Sequence, residues 1–179
     1  MSTNKLQKMN IFIKMFIHLS FLIYALNVLQ QVIGHLHIPP LPESYWSWEW
    51  NVQLIPFYFV GDLISQYHYS QYHSGNSWFF WNAVKLSFYN MLLLLPLGVY
   101  LSIYKVNSLK RATAIIFLVS FLLEIVQLVL SYSGVIFART FNVDDLILNT
   151  VGGVLGYFVL EQIKLFYRSF HFNAQNVDG

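Results

Sequence analysis

No charged residue falls between Lys14 and Glu43, and none between Lys85 and Lys105. Uncharged runs of that length, rich in Leu, Ile, Val and Phe, constrain a chain more than any short motif. A helix of about 20 apolar residues crosses the roughly 30 Å hydrocarbon core of a bilayer. The whole chain of 179 residues carries 10 basic and 8 acidic side chains, 10% charged. Soluble domains hold about 25%, so a water-exposed globule of this composition is excluded. Tracts of Gly, Pro and Ser are scarce, which argues against disorder. A net charge of +2 leaves no footprint for nucleic acid, and the lack of cysteine removes disulfides and thiol nucleophiles.

Four spans satisfy the length requirement, at about residues 10–33, 82–104, 112–132 and 145–164. Lys5 and Lys8 precede the first, as in a signal peptide, but the run is long and no small-x-small cleavage site follows it. It is read as a helix. The expected fold is an all-α integral membrane protein, one domain over residues 1–172, with 173–179 as a flexible tail. Lys5, Lys8, Lys14, Lys105, Lys110, Arg111, Lys164 and Arg168 flank the spans on one side, whereas residues 34–81 hold no Lys or Arg. Cytoplasmic loops carry the basic excess, so both termini are expected in the cytoplasm. The segment between helices 1 and 2 then lies outside. It contains Trp46, Trp48, Trp50, Trp78 and Trp81, a composition suited to the headgroup layer. Within it, residues 53–65 are apolar but too short to span, which predicts an interfacial or re-entrant helix.

Polar residues recur inside the spans at helical spacing. Ser120, Glu124, Gln127 and Ser131 share one face of helix 3, and Asp145, Asn149, Gly152 and Gly156 one face of helix 4. Helix 2 starts with Asn82, Lys85, Tyr89 and Asn90, and helix 1 ends with Asn27, Gln30 and Gln31. Lipid tails cannot satisfy such groups, so these faces should meet. At 1.5 Å per residue, Glu124 lies roughly 10 Å and Asn149 about 6 Å below the outer boundary. The inner halves, such as residues 101–104 and 155–160, read as almost wholly apolar. The simplest arrangement is a polar pocket opening to the outer leaflet.

Plainer roles compete at several positions. Glu124 can pair with Arg139 or Lys85, and Gln127 and Asn149 can serve as interhelical hydrogen-bonding glue. Gly152 and Gly156 read as close helix packing, Pro96 as a kink, and Asp144 or Asp145 as a helix cap. His35, His37, His68 and His73 lack ligand spacing, so neither metal nor cofactor is assigned.

The stretches SFLLEIVQ (120–127) and RTFNVDDLILNTVGGVLGY (139–157) resemble the VanZ-like family of bacterial membrane proteins. NMLLLLPLG (90–98) is similar to that family's helix 2 motif and NVQLIPF (51–57) to its preceding loop motif, which adds Asn51 to the candidates. Where many members carry aspartate, this chain has Asn142. The resemblance implies an envelope role associated with low-level resistance to the lipoglycopeptide teicoplanin.

The leading expectation is therefore a pocket for an amphiphile, namely a membrane lipid, a lipid-linked cell-wall intermediate or the lipoglycopeptide itself. Lys85 and Arg139 would hold its phosphate or carboxylate, and Asn90, Glu124, Gln127, Asp145 and Asn149 would supply hydrogen bonds. An enzyme on such substrates would use Glu124 and Asp145 as acid and base, or Glu124, Asp144 and Asp145 around a divalent cation. A scaffold would use the same residues for packing alone.

Overall fold

In the computed structural model, residues 11–42, 46–72, 77–104, 106 and 108–177 are described, with the backbone alone beyond 169. Four helical spans dominate: Ile11–Ile33, Trp78–Ile103, Leu109–Tyr132 and Val143–Ser169. We number the elements in chain order. Helix α1 is Ile11–Ile33, α2 Trp48–Asn51, α3 Tyr58–Tyr72, α4 Trp78–Leu93, α5 Leu95–Ile103, α6 Leu109–Tyr132 and α7 Val143–Val177.

Helices α4 and α5 form one broken span. Proline at the second position of α5 has no N–H to continue the ladder, and its ring crowds the carbonyl of Leu92. Leu94 leaves helical geometry at φ −100°, ψ 5°, as the Pro96 kink predicts. A freed carbonyl in the middle of a span must find a donor, because no water is present there. The Leu92 carbonyl accepts the Leu94 N–H, and the Tyr24 hydroxyl of α1 donates to the neighbouring Leu93 carbonyl at 2.6 Å.

The break also exposes carbonyls that pack against α7. A Cβ on Gly152 would collide with the Met91 carbonyl, one on Gly156 with that of Leu95, and one on Gly98 with that of Gly153. Only hydrogen fits between these backbones, so the expected Gly152–Gly156 packing is present and extends to Gly153 and Gly98. Leu94, Leu97 and Ile116 form the buried core beside this contact, with Phe21, Val119 and Val154 packed around them.

Two short strands escaped the sequence reading. β1 (Val52–Gln53) pairs in parallel with β2 (Phe141–Asn142), Val52 opposite Phe141 and Gln53 opposite Asn142. Runs of two residues carry no periodicity to read. Leu36 bridges antiparallel to Ile136, and Leu41 donates to the Gly134 carbonyl at 2.9 Å, where Gly134 takes a positive φ of 71°. The loops after α1 and α6 are thereby tied across one end of the bundle.

Three expectations need correcting. Helix α7 runs 35 residues, about 52 Å, so it continues past Lys164 through most of the stretch read as a tail. The end of the apolar run was taken for the end of the helix, yet no Gly or Pro intervenes before Gly179. The helix expected within residues 53–65 is present as the first half of α3 but starts only at Tyr58, after Gln53 of β1 and a turn. Finally, the halves read as apolar hold a polar network. Ser102, fully buried, donates to Glu161 at 2.7 Å, and Lys164 donates to Ser102 Oγ and Glu161, both at 2.8 Å.

The glycine contact makes a specific prediction. Gly152→Ala forces backbones apart and should lower membrane abundance and melting temperature sharply, as should Gly98→Ala. Gly61→Ala, in α3 with nothing within 4 Å of the new methyl, should be neutral or stabilising by up to about 1 kcal/mol. Fluorescence-detected chromatography of the three variants after heating measures the difference.

Candidate functional site

The end of the bundle tied by the loops contains two adjoining cavities. The smaller, about 270 Å³, lies among α1, α4, α6 and α7 and is walled by Gln31, Asn90, Glu124, Gln127, Asp145 and Asn149, among others. The larger, about 570 Å³, opens between α3 and α4, with Tyr58, Phe59, Leu63, Phe79, Leu86 and Leu148 on its walls. Asn90, Arg139, Thr140, Asn142 and Asp145 line both. The smaller compartment exposes slightly more polar than apolar surface and the larger more apolar than polar, although Gln53, Asp62, Gln66 and Asn82 also wall the larger one. The two share a charged partition.

Glu124 is buried at 3% exposure, and its Oε2 accepts the Asn142 backbone N–H at 3.3 Å. Asp145 accepts a short hydrogen bond from the Asn90 side chain of α4, joining two spans across the partition. Gln127 donates to the Val32 carbonyl at 3.3 Å, closing the wall toward α1. Asn149 is buried at 2% exposure and its Oδ1 has no hydrogen-bond partner. Arg139 is placed through its backbone: its N–H donates to Ser131 Oγ at 2.7 Å, and its carbonyl accepts from Asn51 at 3.4 Å. Its guanidinium makes no ion pair among the described residues, where Lys164–Glu161 is the one pair formed. The expected pairing of Glu124 with Arg139 or Lys85 is therefore not made.

Asp144 and Asp145 divide their work. Asp144, 1% exposed, accepts the Phe57 N–H at 2.5 Å on Oδ1 and the Phe59 N–H at 2.8 Å on Oδ2. It thereby holds the turn before α3, where Phe57 takes a positive φ of 64°. Neither aspartate is needed as the side-chain cap, because Asn142 Oδ1 accepts the Asp144 N–H at 2.9 Å. Among the described residues no three His, Asp or Glu side chains converge as a metal set, and His73 lies outside them.

Asn90, Glu124, Gln127, Arg139, Asp145 and Asn149 thus come together as the sequence pattern implies. Asn51 is a backbone clamp behind the site, accepting the Ser47 N–H at 3.0 Å, and Asp144 clamps the turn before α3 while lining the larger cavity. Lys85 does not join. It is exposed on the outward side of α4 in a groove with Trp78, Trp81 and Phe88. Asn27 also turns away, donating to the Ile23 carbonyl of its own helix. Thr140 and Asn142 were missed as wall residues. Position 142 entered the sequence reading only as a departure from aspartate.

The neighbouring aspartates should respond oppositely to one substitution. Asp144→Asn replaces an acceptor with an amide N–H facing a backbone N–H, and should cost about 2–3 kcal/mol. Asp145→Asn keeps an acceptor for Asn90 and loses only a charge, so its melting temperature should hold. Thermal unfolding of both proteins in detergent tests the contrast.

The sequence model of the family described as VanZ/LLP1 matches residues 11–166, which spans the four helices and every cavity residue named above. Among curated proteins and among solved structures nothing matches the chain.

Proposed function

Because the chain belongs to the VanZ/LLP1 family, we propose that it is an envelope protein whose paired cavity binds an amphiphile, contributing to tolerance of teicoplanin-type lipoglycopeptides. The observation that carries this reading is the joining of a small polar compartment to a larger one that adds an apolar wall of Phe59, Leu63, Phe79, Leu86 and Leu148, across one charged partition. A headgroup fits the first and a chain leaves through the second. Soluble ligands have no use for the apolar opening between α3 and α4, whereas a lipid or a lipid-linked cell-wall intermediate needs both halves. Glu124, Gln127 and Asn149 make the polar floor, and Asn90, Arg139 and Asp145 the partition.

The protein sits in this reading in the bacterial plasma membrane with both termini in the cytoplasm and the cavities in the outer leaflet. The distribution of cations supports that orientation. Lys14, Lys110, Arg111, Lys164 and Arg168 belong to the end of the bundle away from the cavities, against Lys85 and Arg139 at the cavity end. Helix α3 and the tryptophans of the 46–50 segment then rest at the outer headgroup layer, where amphipathic rings are favoured. Cysteines introduced at Ser70 and Ser108 of this cysteine-free chain should react from opposite sides with an impermeant thiol reagent. Labelling of both from outside reverses the orientation.

Glu124→Gln keeps the volume and an acceptor for the Asn142 N–H while removing the charge. A neutral side chain is cheaper to bury, so abundance and melting temperature should hold or rise. Teicoplanin tolerance, measured as minimal inhibitory concentration, should fall to that of cells lacking the protein. Full tolerance at normal abundance would return the polar residues to a packing role.

A further inference from the structure

The binding reading leaves the headgroup open, and the inventory of unused hydrogen-bonding groups narrows it. One oxygen of Glu124 is taken by the Asn142 N–H and one of Asp145 by Asn90. The second oxygen of each has no protein donor among the described residues. Asn149 Oδ1, on a residue 2% exposed, is likewise without one. All three residues line the small compartment. Three acceptors, two of them on carboxylates, call for a ligand group that is cationic and brings several N–H donors.

Arg139 poses the complementary demand. It lines both compartments, and its guanidinium pairs with neither Glu124 nor Asp145 although all three share one cavity. A guanidinium and two carboxylates that share a cavity without a direct ion pair suit a ligand that carries both signs. A guanidinium offers a planar fork matched to phosphate oxygens, and a primary ammonium offers three N–H donors.

Resting on the amphiphile reading above, we infer that the cavity selects a lipid whose headgroup joins a phosphodiester to a primary amine, as phosphatidylethanolamine does. The phosphodiester meets Arg139 at the partition. The ammonium enters the small compartment and donates to Glu124, Asp145 and Asn149. The acyl chains leave past Phe59, Leu63, Phe79 and Leu86, between α3 and α4. A quaternary ammonium has no N–H to donate, and a glycerol headgroup brings no cation to the two carboxylates. The inference therefore separates three lipids of similar size.

Native mass spectrometry of the full-length protein in detergent, titrated with dioleoyl phosphatidylethanolamine, phosphatidylcholine or phosphatidylglycerol, tests it. Phosphatidylethanolamine should bind at least tenfold more tightly than either of the others. Glu124→Gln and Asn149→Leu should each erase that preference, and Arg139→Gln should weaken all three lipids together. Glu161→Gln, at the opposite end of the bundle, should leave the preference intact. Glu124→Gln keeps its structural hydrogen bond and carries the test if Asn149→Leu fails to fold. Equal binding of the three lipids, or a preference that survives Glu124→Gln, overturns the headgroup assignment while leaving an amphiphile site. Binding of none of them overturns the amphiphile reading itself. Free O-phosphoethanolamine binding as tightly as the lipid would also overturn the inference, because the chains would then contribute nothing.

Discussion

Direct contact between the backbone of α7 and the broken α4–α5 span is what the rest of the structure depends on. Between helices in lipid there is little hydrophobic driving force, since lipid tails are as apolar as leucine. Association then rests on van der Waals contact and on polar groups that must be satisfied. Gly152, Gly153 and Gly156 let the carbonyls of Met91, Leu94 and Leu95 approach the α7 backbone closely. Those carbonyls lie on either side of the interruption that Pro96 causes, so the proline and the glycines fall at the same level of the two spans. Tyr24 joins this level from α1 by donating to Leu93.

That contact sets where the cavities lie. Asn149 is one turn from Gly153, and Asn90 immediately precedes Met91, so the two backbones diverge toward the cavity end just beyond their closest approach. The space that opens is closed above by the loops. Asn51 and Ser131 fix the backbone of Arg139, Asp144 holds the turn before α3, and the two-residue pairing of β1 with β2 joins the two loops. Each link is a hydrogen bond to backbone, the kind that stays ordered where side-chain pairs would rearrange.

Much of this was legible in the sequence because lipid makes polar residues conspicuous. Glu124, Gln127, Asp145 and Asn149 stood out as breaks in apolar runs at helical spacing, and these four line one cavity. Gly152 and Gly156 announced close packing for the same reason. What was not legible depended on directions that spacing alone does not fix. Lys85 and Asn90 lie five residues apart on α4, and the rotation of that helix decides that Asn90 faces the partition while Lys85 faces outward. The network at Ser102, Glu161 and Lys164 was obscured because a cation at the end of an apolar run reads as a membrane flank. Lys164 instead reaches back to the Ser102 carbonyl at 2.6 Å. The parallel pairing of β1 with β2 links positions 52–53 to 141–142, a separation no local pattern can report.

Asp144 and Asp145 show how the fold keeps anchoring apart from site chemistry. Consecutive residues on a helix diverge by about 100°, so the first turn of α7 presents one carboxylate to the α3 loop and the next to the cavities. Both sit where the positive end of the helix dipole lowers the cost of a buried negative charge. The loop that Asp144 holds also carries Tyr58 and Phe59, which wall the apolar compartment. One aspartate thus shapes the larger cavity while its neighbour, joined to Asn90, marks the boundary with the smaller one. Because Asn142 supplies the side-chain cap and Asp144 the loop anchor, Asp145 is released from both duties. Glu124 is similarly light in structural duty, holding one backbone N–H at 3.3 Å. A buried carboxylate used so sparingly by its own fold is the natural target for the Glu124→Gln test of the proposed site.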